Sequence, residues 1–140
     1  MKKDVIITIS GLQPEVQGDE PIEMTSVGTC INKDGVWYLF YEEEDDGHLT
    51  KCRIKASSEG VEMTKEGNII TRLFFAPGQV NESIYSTPYG DFDMKMMTKS
   101  LSFPVTDDLF AVNMIYELGM NGKFVSNCEL NIRVEEMGLN

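Results

Sequence analysis

The chain has 140 residues, 41% hydrophobic and 25% charged, and its 23 Asp and Glu against 12 Lys and Arg give a formal net charge of −11. That composition suits one globular domain over residues 1–140 with a single core, and it argues against disorder. The acidic charge disfavours sequence-independent nucleic-acid binding and docking on anionic membranes, and leaves a neutral, cationic or largely apolar ligand as the best match.

The opening Met1-Lys2-Lys3 starts like a secretory leader. The apolar run behind it ends at Ile9 with no small-residue cleavage site, so it predicts a first strand over residues 5–12. From there on, apolar residues recur at every second position between Gly- and Asp-containing turns, the spacing of a strand with one face in a core. Helical spacing is always interrupted by Gly, Pro or β-branched runs. Strands are predicted over residues 22–31, 36–44 and 48–56. Read as a three-residue loop, Asp45-Asp46-Gly47 pairs Phe40 with Cys52, Tyr38 with Ile54 and Val36 with Ala56 on the inner face. On the other face Trp37, Leu39 and Tyr41 then meet Lys55, Arg53 and Lys51. They form an apolar stripe partly roofed by basic stems, a candidate surface for a homodimer or another partner. The same pattern also suits a strand covered on both faces. The acids Glu42 to Asp46 are contiguous, unlike the alternating oxygens of a calcium loop, and read as a solvated turn.

Strands follow over residues 61–64, 69–75 and 80–86. Arg72 shares the phase of Ile70 and Phe74, but Ile69, Leu73 and Phe75 make the opposite phase apolar too, so either direction is open to it. Thr87-Pro88-Tyr89-Gly90 has the residues of a tight turn, with Tyr85 and Tyr89 placed to close one end of a barrel. Over residues 92–105 the apolar phase changes from Phe92, Met94 and Met96 to Met97, Leu101, Phe103 and Val105, which predicts a β-bulge at Met96-Met97. The last two strands are predicted over residues 109–118 and 123–135. A two-residue Asn121-Gly122 turn between them mixes apolar and polar faces. A three-residue loop Met120-Asn121-Gly122 instead pairs Leu118 with Phe124, Met114 with Cys128 and Val112 with Leu130, and is preferred.

Short connections imply antiparallel pairing, because parallel strands need long crossovers. So many antiparallel strands exceed what a twisted open sheet holds flat, and the expected fold is all-β, a single antiparallel meander closed into a barrel of about 8–10 strands.

The segments Ile22-Glu23-Met24, Tyr38-Leu39-Phe40-Tyr41-Glu42-Glu43-Glu44, Tyr85-Ser86-Thr87-Pro88-Tyr89-Gly90 with Phe92 and Met94, and Tyr116-Glu117-Leu118 occur in an order and spacing that resembles the YwiB-like family. These are small bacterial proteins of unknown function. The resemblance covers nearly the whole chain and implies a calycin-like barrel, related in shape to lipocalins and fatty-acid-binding proteins. It brings no catalytic or binding residues with it, and fold does not fix function.

Chemistry is sparsely signalled. Cys30, Cys52 and Cys128 are odd in number and lie within strands, so a disulfide framework is not expected, and with His48 as the single histidine neither a zinc site nor a nucleophile pair is legible. No cofactor is expected. With no run near the roughly 20 apolar residues of a membrane-spanning helix, the expected location is cytoplasmic. The leading expectation is a non-enzymatic barrel that holds a small, mainly apolar molecule through Tyr38, Phe40, Met94, Met114 and Tyr116, with Arg72 as polar anchor. The alternative is a scaffold that uses the Trp37, Leu39 and Tyr41 stripe for contact. An enzyme comes third, resting on unassigned Glu, Tyr and His48 groups.

Overall fold

The computed structural model describes residues 2–12, 22–106 and 109–137. Its strands are β1 (Lys2–Leu12), β2 (Ile22–Lys33), β3 (Val36–Asp45), β4 (His48–Ser57), β5 (Gly60–Gly67), β6 (Thr71–Phe75), β7 (Val80–Thr87), β8 (Gly90–Ser102), β9 (Val105–Thr106), β10 (Leu109–Met120) and β11 (Lys123–Glu136). Every pairing is antiparallel, and ten strands follow one another in the order β6-β5-β4-β3-β2-β1-β11-β10-β8-β7, with short β9 beside β10. The expected all-β antiparallel meander is therefore the fold, and it curls into a nearly closed barrel. Among the described residues there is no helix that is long and apolar enough to cross a membrane.

Closure is uneven around the ring. The first and last strands join over a long ladder from Val5–Glu136 to Leu12–Glu129. Between β6 and β7 the backbone ladder shrinks to one bridge, in which Ile70 N donates to Ser86 O and Ser86 N to Ile70 O, both at 2.9 Å. Side-chain hydroxyls replace the missing rungs: Thr71 Oγ1 donates to Ile84 O at 3.1 Å and Ser83 Oγ to Arg72 O at 2.6 Å.

Turn chemistry sets three registers, and two of them differ from expectation. Asp34-Gly35, Asp46-Gly47 and Asn121-Gly122 all have positive φ at both residues (53° and 83°, 50° and 80°, 50° and 82°), which makes them two-residue type I′ turns. At the β3–β4 hairpin this pairs Asp45 with His48, Tyr41 with Cys52, Leu39 with Ile54 and Trp37 with Ala56. The pairing is one residue out from the three-residue loop, and a one-residue slip turns every side chain to the other face. Trp37 and Leu39 are 4% and 0% exposed and lie in the core, whereas Phe40 is 41% exposed. Trp37, Leu39 and Tyr41, each worth about 1.5–3 kcal/mol when buried, favour that register.

At the β10–β11 hairpin the two-residue turn pairs Met120 with Lys123. A register shift after Leu118 then leaves Val125 as an extra residue, so that Leu118 meets Ser126, Tyr116 meets Cys128 and Met114 meets Leu130. The bulge that rescues the apolar phase thus lies within the strand and not in the turn loop, and Phe124 is exposed instead of facing Leu118. The phase change in β8 also exists, but Lys99 is the extra residue: Ile115 pairs with Ser100 and Tyr116 with Thr98. Met97 accordingly stays on the outer face.

Connections alternate between the two ends of an antiparallel barrel. One end, the Gly35 end, carries the β2–β3, β4–β5, β6–β7 and β8–β10 connections together with the free ends of β1 and β11. Its interior is lined by apolar side chains. Trp37, Ala56, Val61, Phe75, Val112, Ile132 and Val134 are buried there, and Phe110 packs its ring 5.3 Å from both Trp37 and Phe103. The opposite, Gly47 end is different.

Candidate binding site at the Gly47 end

Side chains that point into the barrel change character along its axis. Toward the Gly47 end the inward positions are Ile9, Met24, Met94, Tyr116 and Met120, which pack on the core yet remain partly exposed. Strands β3, β4 and β5 add a polar group to this apolar rim. Tyr41, Glu43, Thr50, Cys52 and Lys65 share the inner face, because Tyr41 pairs with Cys52, Glu43 with Thr50, and Cys52 with Lys65.

Lys65 Nζ lies 3.0 Å from Glu43 Oε1 and 3.2 Å from Oε2, an ion pair that reaches from β5 to β3 across β4. Both side chains are about four-fifths covered, at 22% and 21% exposed. Burial opposes the Lys65 charge, but the bond to Glu43 and its carboxylate outweigh that cost, and the ammonium is held above the usual lysine range. Tyr85, inward from β7, and Cys52 are near enough to add to the effect.

The neighbouring acids keep their protons. Burial first, then the Glu43 carboxylate, push the Cys52 thiol up to about 11. Burial raises the Tyr41 phenol further, with Cys52 and Glu43 contributing, and burial with Cys128 does the same for Tyr116. At neutral pH the site therefore offers phenols, a thiol and an ammonium as donors and one carboxylate as acceptor. It suits hydrogen bonding more than nucleophilic attack, which needs a thiolate or free amine. Among the described residues no three His, Cys, Asp or Glu side chains gather as metal ligands.

The residues expected to line a ligand site divide. Met94 and Tyr116 face the Gly47-end interior, Tyr116 with its ring 4.9 Å from Phe75, and Met114 lies fully buried beneath them. Tyr38 and Phe40 do not belong, since the β3 register turns both outward, where their rings stack at 6.3 Å. Arg72 also points out: exposed on the wall, it pairs with Glu62 at 2.9 Å, and Arg53 meets the same carboxylate at 3.2 Å. The Trp37, Leu39 and Tyr41 stripe lies in the core instead of on the outer face. Pro88 and Tyr89 form the β7–β8 turn, tied by Tyr89 N to Thr87 Oγ1 at 3.0 Å, with Gly90 at φ 134°. Tyr89, 95% exposed, covers no opening, whereas Tyr85 faces inward.

Glu43 and Lys65 escaped the sequence reading. Contiguous acids point to a solvated turn throughout, and the strand expected over 61–64 ends one residue short of Lys65. With Asp46-Gly47 taken as a two-residue turn, Glu43 falls in phase with Tyr41, and Lys65 already continued the phase of Val61 and Met63.

Concave surfaces among the described residues include two larger ones on the wall. One, of about 700 Å³, follows the β2–β3 seam where pairing ends at Thr29–Phe40, and its lining includes Val27, Gly28, Tyr41 and Cys52. The other, of about 770 Å³, is an outer groove with Val80, Ile84, Met97 and Phe124 on its surface, and Met94 at the rim of the Gly47 end also lines it.

Comparison with known proteins agrees with this architecture. Residues 7–132 match the family described as "Domain of unknown function (DUF1934)". The chain is 25% identical over 121 residues, 84% of each chain, to the "Uncharacterized beta-barrel protein YwiB" of Bacillus subtilis. It superposes on the crystal structure of the Bacillus subtilis ywiB protein with a TM-score of 0.84 at 19% identity, covering 98% of this chain and 94% of that one, a likeness of fold.

Proposed function

The chain belongs to the DUF1934 family, and from its geometry we propose that it is a binding barrel which takes a small, mainly apolar molecule into the Gly47 end. One observation carries this reading: inward-facing Met24, Met94, Met120 and Tyr116 stay partly exposed at the end of the barrel where Lys65 and Glu43 also face inward. Flexible, polarisable methionines suit a wall that adapts to a ligand. The polar group beside them orients the head of such a molecule, as the few polar groups of an apolar pocket ordinarily do. Three free, buried cysteines fit a reducing compartment, in keeping with action in the cytoplasm.

Native mass spectrometry of the protein purified from its own cells tests the proposal. The expected spectrum carries a retained small-molecule mass that disappears in Met94→Trp, which fills the opening. A bare protein mass, together with no heat on titration of any chain amphiphile, would overturn it.

A further inference from the structure

Given a ligand at the Gly47 end, the Lys65–Glu43 pair restricts which head group that ligand carries. The two side chains are matched to each other at 3.0 and 3.2 Å inside the wall, with about a fifth of each exposed. A ligand carboxylate that captures Lys65 leaves Glu43 without its counter-charge in a poorly solvated site. An ammonium that captures Glu43 strands Lys65 in the same way. Removing one partner of a covered pair is far costlier than leaving both in place. A head that is neutral overall, with donor and acceptor or with paired opposite charges, lies along the ion pair and leaves it intact. Cys52 Sγ already donates to Thr50 O at 3.8 Å and Tyr41 bonds to Cys52, which leaves the Tyr85 hydroxyl across from the pair as a donor. The whole-chain charge of −11 works further against an anion.

We infer that the ligand is a net-neutral amphiphile, its apolar part against Met24, Met94 and Met120 and its dipolar or zwitterionic head over Lys65 and Glu43. This rests on the binding reading above, and the test separates the two. Calorimetric titration of the full chain with N-decyl-N,N-dimethylglycine, sodium decanoate and decylammonium chloride, each below its micelle concentration, compares a zwitterion with an anion and a cation on one chain length. The zwitterion is expected to bind at least about tenfold tighter than either charged probe. Equal or tighter binding of decanoate or decylammonium overturns the inference and leaves the binding reading standing. No binding by any probe overturns both. In Glu43→Gln the freed Lys65 is expected to raise decanoate affinity by about tenfold, and in Lys65→Met the freed Glu43 to raise decylammonium affinity similarly. Unchanged rankings in both folded variants overturn the inference, and if neither variant folds, the wild-type ranking decides alone.

Discussion

Gly28→Ala is expected to be among the costlier single-methyl additions to this protein. A Cβ built at Gly28 falls 2.4 Å from Phe40 O, 2.8 Å from Ile7 Cδ1 and 3.2 Å from Tyr41 Cβ. The first contact is with a backbone carbonyl, so no rotamer change relieves it, and β2 must move from β3 by at least about half an ångström at the point where their ladder ends. Overpacking of this kind costs about 1–3 kcal/mol, against about 0.4–1 kcal/mol returned by the stiffer unfolded chain. The net is a loss of about 1 kcal/mol. Gly11→Ala is the control, because its Cβ meets Glu129 O at 3.7 Å and Leu130 Cδ1 at 3.8 Å, ordinary contacts. That variant is expected to match the wild type or gain up to about 0.5 kcal/mol. Urea unfolding followed by Trp37 fluorescence reads both, through a shift in midpoint at constant slope. Coincident midpoints for the two variants would refute the steric argument.

The β3 register predicts that Leu39→Ala costs about 2–5 kcal/mol through an unfilled cavity, whereas Phe40→Ala costs under about 1 kcal/mol, and comparable losses in urea melts would put the strand the other way round. As the single tryptophan, 4% exposed, Trp37 is expected to emit to the blue and resist iodide quenching, and ready quenching would contradict its burial. Cys52 keeps its proton to about 11 in the fold against an ordinary 9.0, so between those values the folded chain binds more protons than the unfolded one. Its contribution is complete below pH 9 and disappears as pH climbs toward 11, by up to about 3 kcal/mol. A stability–pH curve for Cys52→Ala that declines as steeply as wild type over that window would count against it. At the β6–β7 seam, Thr71→Val and Ser83→Ala each remove a hydroxyl rung, with an expected cost of about 0.5–1.5 kcal/mol and faster amide exchange at Ile70 and Ser86. Unaltered exchange would show that the seam does not depend on them.

Much of the architecture was legible before any coordinates, because strand periodicity is local: the alternation of Phe110, Val112, Met114 and Leu118 appears directly as buried positions on β10. Bulges were legible in kind but misplaced, since a phase change says that a residue has been inserted and not which one. The apolar stretch from Met94 to Met97 hid Lys99 as the extra residue of β8. The candidate site was hardly legible at all. Two of its parts, Met94 and Tyr116, follow from periodicity. Glu43 and Lys65 depend on which face two separate strands present and on β4 lying between them.

Strand identity, meander order and the need to close therefore come from the sequence alone, because each is written in the alternation of neighbouring residues and the length of their connections. Which face of β3 is inside is different. Trp37, Leu39 and Tyr41 compete with Tyr38 and Phe40 on nearly equal terms, so the periodic signal is almost symmetric. Asp46-Gly47 breaks the symmetry by its backbone geometry, and only the packed barrel, with Ile54 and Cys52 opposite, makes that choice worth several kcal/mol. The same choice carries Glu43 inward to Lys65, and with it the site.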